Sequence, residues 1–412
     1  MTEAIILARA IHFAASTLAA GTVSFVALVA EPAFGRTRAL AVFRRRMNLM
    51  TWLALALAIA SGAAWLALLA ADIYGAPLVD VCLHGGLWTV LTGTQFGAAW
   101  SARLAIAVLL ALLLSPPLRW LQLAAAGAFL ALIALSGHAG ATPGAAGELH
   151  LVSDMLHLIA AGLWLGGLPA LALLLASPRQ PKGLAARAAA RFSVAGIAAV
   201  AVILATGIVN SWMLLGSPRD LIATSYGRLL FLKIGLFVAM VAIAAVNRFH
   251  LTPRLATTSA RRALTRNSLA ETALGAGVLL LVGALGTMSP TAHKHFETAD
   301  VPADAAFVHI HSEEAMAEVT IEPGRAGRAD ASIRVMHEDS SQLTTNDVKL
   351  ELELPGLPTV NRSAVLQADG TWRVDDLNLP QPGDWTVRVF IARDQGKPIM
   401  LDAPIVIEPA QR

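Results

Sequence analysis

Eight apolar stretches dominate the first part of the chain, at about 4–30, 48–71, 99–115, 117–136, 149–175, 193–215, 228–246 and 268–288. Crossing a hydrocarbon core takes about 20 residues at 1.5 Å rise per residue, so each stretch predicts a membrane-spanning helix. Pro116-Pro117 marks a tight turn between the third and fourth. The Gly-rich segment 75–98 contains Leu87 to Leu91, which predict a short interfacial helix with Trp88 and Trp100 at headgroup depth.

After Gly286 the period changes to two. Alternating runs lie at Ala317 to Ile321, Ala331 to Met336, Val348 to Leu354, Thr371 to Val374, Trp385 to Ile391 and Ile399 to Ile407. Pro323-Gly324, Pro355-Gly356, Asp369-Gly370 and Pro382-Gly383 punctuate them. Short strands at this spacing predict an antiparallel β-sandwich of immunoglobulin-like type, with Trp372 and Trp385 inside it. The fold expected is therefore a mainly α membrane protein, an eight-helix transmembrane bundle followed by a C-terminal β-sandwich. Its parts are an eight-span membrane domain over 1–289, a polar linker over 290–304 and the sandwich over 305–412.

Charge orients the bundle. The loops after the first, third, fifth and seventh stretches hold Arg36, Arg38, Arg44, Arg45, Arg46, Arg119, Arg179, Lys182, Arg187, Arg191, Arg248, Arg254, Arg261, Arg262 and Arg266, against Arg219 and Arg228 in the other loops. The positive-inside bias makes the rich side cytoplasmic and puts both termini outside, with an uncleaved first helix. The overall charge of +3 hides +12 over residues 1–289 and −9 over 290–412. Topology accounts for the basic half, so nucleic acid is not an expected partner and membrane lipid is. Cys82 is the sole cysteine, which excludes an intramolecular disulfide. Gly-x-x-x-x-Gly-Lys-Ser/Thr, Cys-x-x-Cys-His and Gly-x-Ser-x-Gly are all missing from the sequence, which argues against ATP-driven pumping, attached haem c and a nucleophile-elbow hydrolase.

Of 11 histidines, only His250 falls on the arginine-rich side. In the fifth stretch His150, Asp154 and His157 stand at i, i+4 and i+7, one helical stripe of costly polar groups. Asp154 would either ligate a metal or fix the tautomer of His157; an interhelical clamp with Arg9 or Arg103 is the structural alternative. His12 and His138 lie at similar depth, which points to one shared cavity built by His12, His138, His150, Asp154 and His157. Asn210 and Met213 could add weaker donors, or simply pack. Lys233 would snorkel or pair with Asp154. Outside the membrane, alternation puts His309 and His311 on one strand face, near Met316 and His337. Imidazole with thioether suits copper. His293 with His295, and Cys82 with His84, are weaker pairs read as solvated and incidental.

The run from Glu148 to Leu171, Phe192-Ser193, Thr206-Gly207 with Asn210, and Tyr226-Gly227-Arg228 with Lys233 resemble the copper resistance D (CopD) family. Asn247-Arg248, Pro253-Arg254 and the opening Arg9, His12 and Phe13 are similar to it too, and its core would lie at about 148–290. The tail is similar to the outer sandwich of some copper-import relatives, through Val308 to His311 and Pro382 to Trp385. The resemblance implies an inner-membrane protein, not an enzyme, associated with copper transport or uptake and contributing to copper homeostasis and resistance. It implies a soluble periplasmic copper-binding donor, because this chain has no clear copy of the small CopC-type module. Oxidation state, direction and energy coupling stay open. Two alternatives remain: a membrane haem-binding electron carrier using His12 and His157 as axial ligands, and a non-transporting assembly or sensing protein.

Overall fold

The computed structural model describes residues 2–35, 37–115, 118–137, 144–177, 183–215, 217–288, 302, 304–312, 315–337, 341–354, 356–393 and 398–410. Two compact units divide the chain, Met1–His293 and Lys294–Arg412.

Among the described residues of the first unit, eight helices are long and apolar enough to cross a membrane. Span 1 is Thr2–Phe34, span 2 Arg38–Ile73, span 3 Gln95–Leu113, span 4 Arg119–Ser136, span 5 Ala146–Ala176, span 6 Leu184–Leu214, span 7 Ser225–Arg254 and span 8 Thr258–Leu285. Several are longer than their apolar stretches. Span 2 starts ten residues before the apolar run at 48, and its 36 residues reach about 54 Å. Arg and Ala are good helix formers, so the helix continues through the basic segment until a cap stops it. Those caps are threonines: Thr37, Thr94, Thr224 and Thr257 each accept a backbone N–H three residues on, from Leu40, Gly97, Gly227 and Ala260. Before span 3 come two short helices, Leu78–Leu83 and Gly86–Gly93, the second over the expected interfacial segment. Val81 and Val90 from them are buried against Leu66 and Ala70 of span 2.

Span 1 is the central post: 78% of its apolar window is buried, against 11% for span 7. Its neighbours approach closely because small residues permit it. A methyl at Gly21 would stand 2.3 Å from the backbone of Gly166 in span 5. Toward the arginine-rich ends, Phe25, Met47, Trp164, Leu168, Leu174 and Leu264 form one apolar core; Phe13, Leu55, Trp65, Leu110 and Phe129 form another.

The second unit is two antiparallel sheets. One has order β1-β2-β3-β7-β6, the other β5-β4-β8-β9. The strands are β1 Ala306–His311, β2 Met316–Glu322, β3 Gly327–Met336, β4 Val348–Glu353, β5 Val360–Ser363, β6 Val365–Leu366, β7 Trp372–Leu379, β8 Gly383–Ile391 and β9 Ile399–Ile407. Each predicted run lies within or overlaps a strand. Trp385 is fully buried and Trp372 nearly so, between the two inner faces.

Candidate metal-handling site

Span 5 carries its polar stripe against span 6. The Ser153 hydroxyl donates to the Thr206 carbonyl at 3.3 Å, and Asn210 Nδ2 donates to Asp154 Oδ1 at 3.1 Å. His157 Nδ1 meets Thr206 Oγ1 at 3.0 Å. The Thr206 hydroxyl spends its own hydrogen on the Val202 carbonyl at 2.6 Å. Thr206 Oγ1 is therefore an acceptor toward the ring, Nδ1 carries the hydrogen, and the lone pair of His157 lies on Nε2. That tautomer leaves Nε2 as the nitrogen open to a metal. Asn210 Oδ1 is buried without a partner among the described residues. From span 7, Lys233 lies within electrostatic reach of Asp154 and His157, and Tyr226 within reach of Asp154. The hydrogen bond that Asp154 makes is thus with Asn210, with Lys233 in electrostatic reach, and not with Arg9 or Arg103. Both arginines sit instead around His12. His150, one turn before Asp154, is buried at 2% exposure.

His12 belongs to a second cluster. Its Nδ1 donates to the Ala58 carbonyl of span 2 at 2.8 Å, and Ser61 Oγ stands 3.5 Å away. On the other side Arg103 of span 3 donates to His12 Nε2 and, through Nη2, to Ser16 Oγ at 3.0 Å. Arg103 Nε donates to the Phe129 carbonyl at 3.3 Å. Arg9 lies 4.7 Å from the Trp65 ring centroid. Both ring nitrogens of His12 are thus occupied, so a metal or a haem iron would reach Nε2 only after Arg103 moved. The expected single cavity is therefore not what these contacts draw. His12 takes its partners from spans 2 and 3, Asp154 and His157 from spans 6 and 7. Position along the spans puts them at one depth but carries no information about which neighbour each helix face meets.

The other candidates scatter. His138 lies outside the described residues, as do His293 and His295. His309 is paired in register with Glu318, whose carboxylate stands 3.6 Å from Nδ1 and 3.3 Å from the Arg334 guanidinium. His311 is opposite Met316, which is opposite Met336; the His311 side chain is outside the described part. His337 is exposed, with its amide donating to the Ser341 carbonyl. Cys82 is exposed, and His84 turns its Nδ1 back to the Asp80 carbonyl at 2.8 Å. Among the described residues no three His, Cys, Asp or Glu side chains gather as a metal cage.

One polar group that the search for imidazoles passed over is Glu271 of span 8, 1% exposed, with Asn247 Nδ2 donating to its Oε2 at 2.8 Å. A lone acid within the eighth apolar stretch was its only sequence signal.

Comparison with known proteins adds the family. Residues 1–148 match the description Copper resistance protein D-like, N-terminal domain, and residues 186–285 match Copper resistance protein D. The chain is 32% identical over 290 residues to the inner membrane protein YebZ of Escherichia coli (strain K12), covering 68% of this chain and 97% of that protein. The chain belongs to the copper resistance protein D family. Another member, Copper resistance protein D of Pseudomonas syringae pv. tomato, is 34% identical over 49% of this chain and 71% of its own length. The copper transport protein CutJ of Bacillus subtilis (strain 168) is 29% identical over 74% of this chain and 57% of its own length. Within this family the two matched regions take in His12, Arg103, Thr206, Asn210, Lys233 and Glu271, while the sandwich lies beyond them.

Proposed function

We propose that this chain is a multi-pass inner-membrane copper carrier that brings the ion inward and so contributes to copper homeostasis and resistance. The observation that carries the reading is the Nε2 lone pair of His157, held by Thr206 beside Asp154 in the membrane-embedded part of the bundle. Relatives named for copper transport and copper resistance support the choice of ion. Imidazole and carboxylate together accept either oxidation state of copper.

In this reading the arginine-poor face is periplasmic, as are both termini, and lipid surrounds the spans. A soluble periplasmic protein delivers copper, and His309 and His311 of the sandwich are the first station. His150, Asp154 and His157 receive the ion in the bundle, together with His138. His12 is a separate station, open once Arg103 releases its Nε2. The membrane potential drives inward movement of a cation, at about 2.3 kcal/mol per charge per 100 mV.

Copper accumulation in cells expressing the wild type or His157→Ala tests the proposal. Accumulation should fall to the level of cells lacking the protein. Equal uptake by the two, at equal protein levels in the membrane, would remove the transport claim.

A further inference from the structure

We propose that Glu271 is a proton-binding site, which takes a proton from water at the arginine-rich end of the bundle and returns it there. The site lies in span 8 a little over one turn beyond Arg266, far along the chain from the His157 cluster in span 5.

The argument starts from hydrogen-bond accounting. Asn247 Nδ2 donates to Glu271 Oε2 at 2.8 Å, and Asn247 Oδ1 accepts from Asn267 Nδ2 at 2.8 Å. The Asn247 amide is thereby fixed in orientation, with both ends engaged. This clamp between spans 7 and 8 accounts for one carboxyl oxygen only. Glu271 Oε1 is buried with no partner among the described residues, and so is Ser268 Oγ, three residues earlier on the same helix face. Their residues are 1% and 0% exposed. Buried polar atoms are almost always hydrogen-bonded, so two bare oxygens one turn apart on one helix face need a cause.

No charge nearby supplies one. On span 7, Arg248 is committed to Ser193 Oγ at 2.6 Å, while His250 and Arg254 are exposed. The stretch Gly167–Ala176 of span 5, packed on span 8, has no titratable side chain, and His150, Asp154 and His157 lie toward the opposite end. On span 1, Glu31 pairs with Arg44 at 3.3 Å, and Arg9 and His12 are at the far end. On span 8 itself Arg262 and Arg266 are exposed and Arg261 is half-buried. Among the described residues none forms an ion pair with Glu271. An ionised carboxylate there would be an uncompensated charge in an apolar bundle. A proton on Oε1 removes that charge and turns the bare acceptor into a donor, which Ser268 Oγ, bare on the same face one turn away, accepts after a side-chain rotation. A metal cation fits less well: two free oxygens fall far short of the six to eight that a hard cation such as calcium collects.

The balance is simple: carboxylate plus one proton from the adjoining water gives the carboxylic acid, and release reverses it. No copper is involved, so failure of the copper reading leaves this one standing, and the reverse.

The test uses the full-length protein in phospholipid vesicles without added copper. Dicyclohexylcarbodiimide modifies protonated carboxyls in apolar surroundings, and peptide mass mapping locates the adduct. Glu271 should be modified while exposed Glu3 is not, with the label lost as pH rises. Infrared difference spectra should show a protonated-carboxyl C=O band that shifts in D2O and is missing from Glu271→Gln. Should that variant fail to fold, Ser268→Ala keeps the acid and should shift the band. An unlabelled Glu271 together with no such band, at every pH where the protein stays folded, overturns the proposal.

Discussion

Thr206 accepts from His157 Nδ1 at 3.0 Å while donating its own hydrogen to the Val202 carbonyl at 2.6 Å, and this pair of bonds decides which ring nitrogen of His157 is open. The consequence can be measured on Thr206 without touching the histidine. Thr206→Val keeps the shape and removes the acceptor, so the imidazole loses the bond that fixes its tautomer. Copper affinity of the purified protein, by competition with a chromophoric chelator, should fall roughly ten- to a hundredfold, the usual effect of removing an outer-shell partner. Thr206→Ser keeps the hydroxyl and should stay close to wild type. Equal loss in both variants would mean that packing, not the hydroxyl, matters at this position.

Arg103 makes the second test. Its guanidinium donates to His12 Nε2, Ser16 Oγ and the Phe129 carbonyl in one planar fork. Lysine is a point charge and cannot reproduce a fork. Arg103→Lys should therefore destabilise nearly as much as Arg103→Ala, by about 2–4 kcal/mol, because buried acceptors lose their donors. Thermal unfolding in detergent reads this out. The same variants uncover His12 Nε2, so copper bound per chain should not fall, and a fall would assign Arg103 to ligand binding.

Where the sequence was legible, the reason is that one dominant force acts along one coordinate. Apolar length sets the eight spans, and alternation sets the sandwich, so Trp385 is placed in its core from its parity alone. Facing is harder. His12 and His157 share a depth, yet Arg103 claims one and Thr206 the other, because rotation about each helix axis is set by tertiary packing. The partner of Asp154 is legible only in part: Lys233 reads from sequence as a pairing candidate, but Asn210 reads as an ordinary packing residue until span 6 is laid against span 5. Glu271 is illegible for a different reason, since a lone carboxyl near the start of an apolar stretch has no spacing partner in sequence.

The sandwich offers a pH test with a definite sign. Asp330 accepts from the Asp376 amide at 3.0 Å and from Arg373 at 2.9 Å, beside the β-bulge in the β3–β7 pairing. The amide bond first, and then Arg373, hold its carboxyl below the usual 3.8. A depressed folded value means the contribution is complete above 3.8 and is lost as pH falls through the lower, folded value. Hydrogen exchange at the Asp376 amide of the full-length protein should accelerate on acidification through that window, beyond the intrinsic dependence. Asp330→Asn should abolish the acid-dependent part. Asp330 is solvent-exposed, so global melting should scarcely change.

A close backbone approach between spans 1 and 5 sets the last expectation. At Gly21 a methyl group would lie 2.3 Å from the Gly166 backbone, and at Gly166 it would lie 2.0 Å from the Thr17 carbonyl oxygen. Both obstacles are main chain, which cannot rotate aside as a side chain would. Overpacked sites in protein interiors cost about 1–3 kcal/mol, and rigid neighbours push toward the upper end. Gly21→Ala and Gly166→Ala should each lower the melting temperature in detergent. The double variant should lose less than the sum of the two, because one shift of span 1 from span 5 relieves both clashes. A control at Gly235, where a methyl meets nothing within 4 Å, should leave melting unchanged or raise it slightly, since alanine favours a helix over glycine. Gly166 lies little more than two turns beyond His157 on the same span, so the separation that accommodates the methyl also shifts the stripe facing span 6. Copper accumulation should then fall along with stability in the Gly166 variant and stay normal in the Gly235 control. A Gly21→Ala protein as stable as the wild type would mean that spans 1 and 5 do not touch at this crossing.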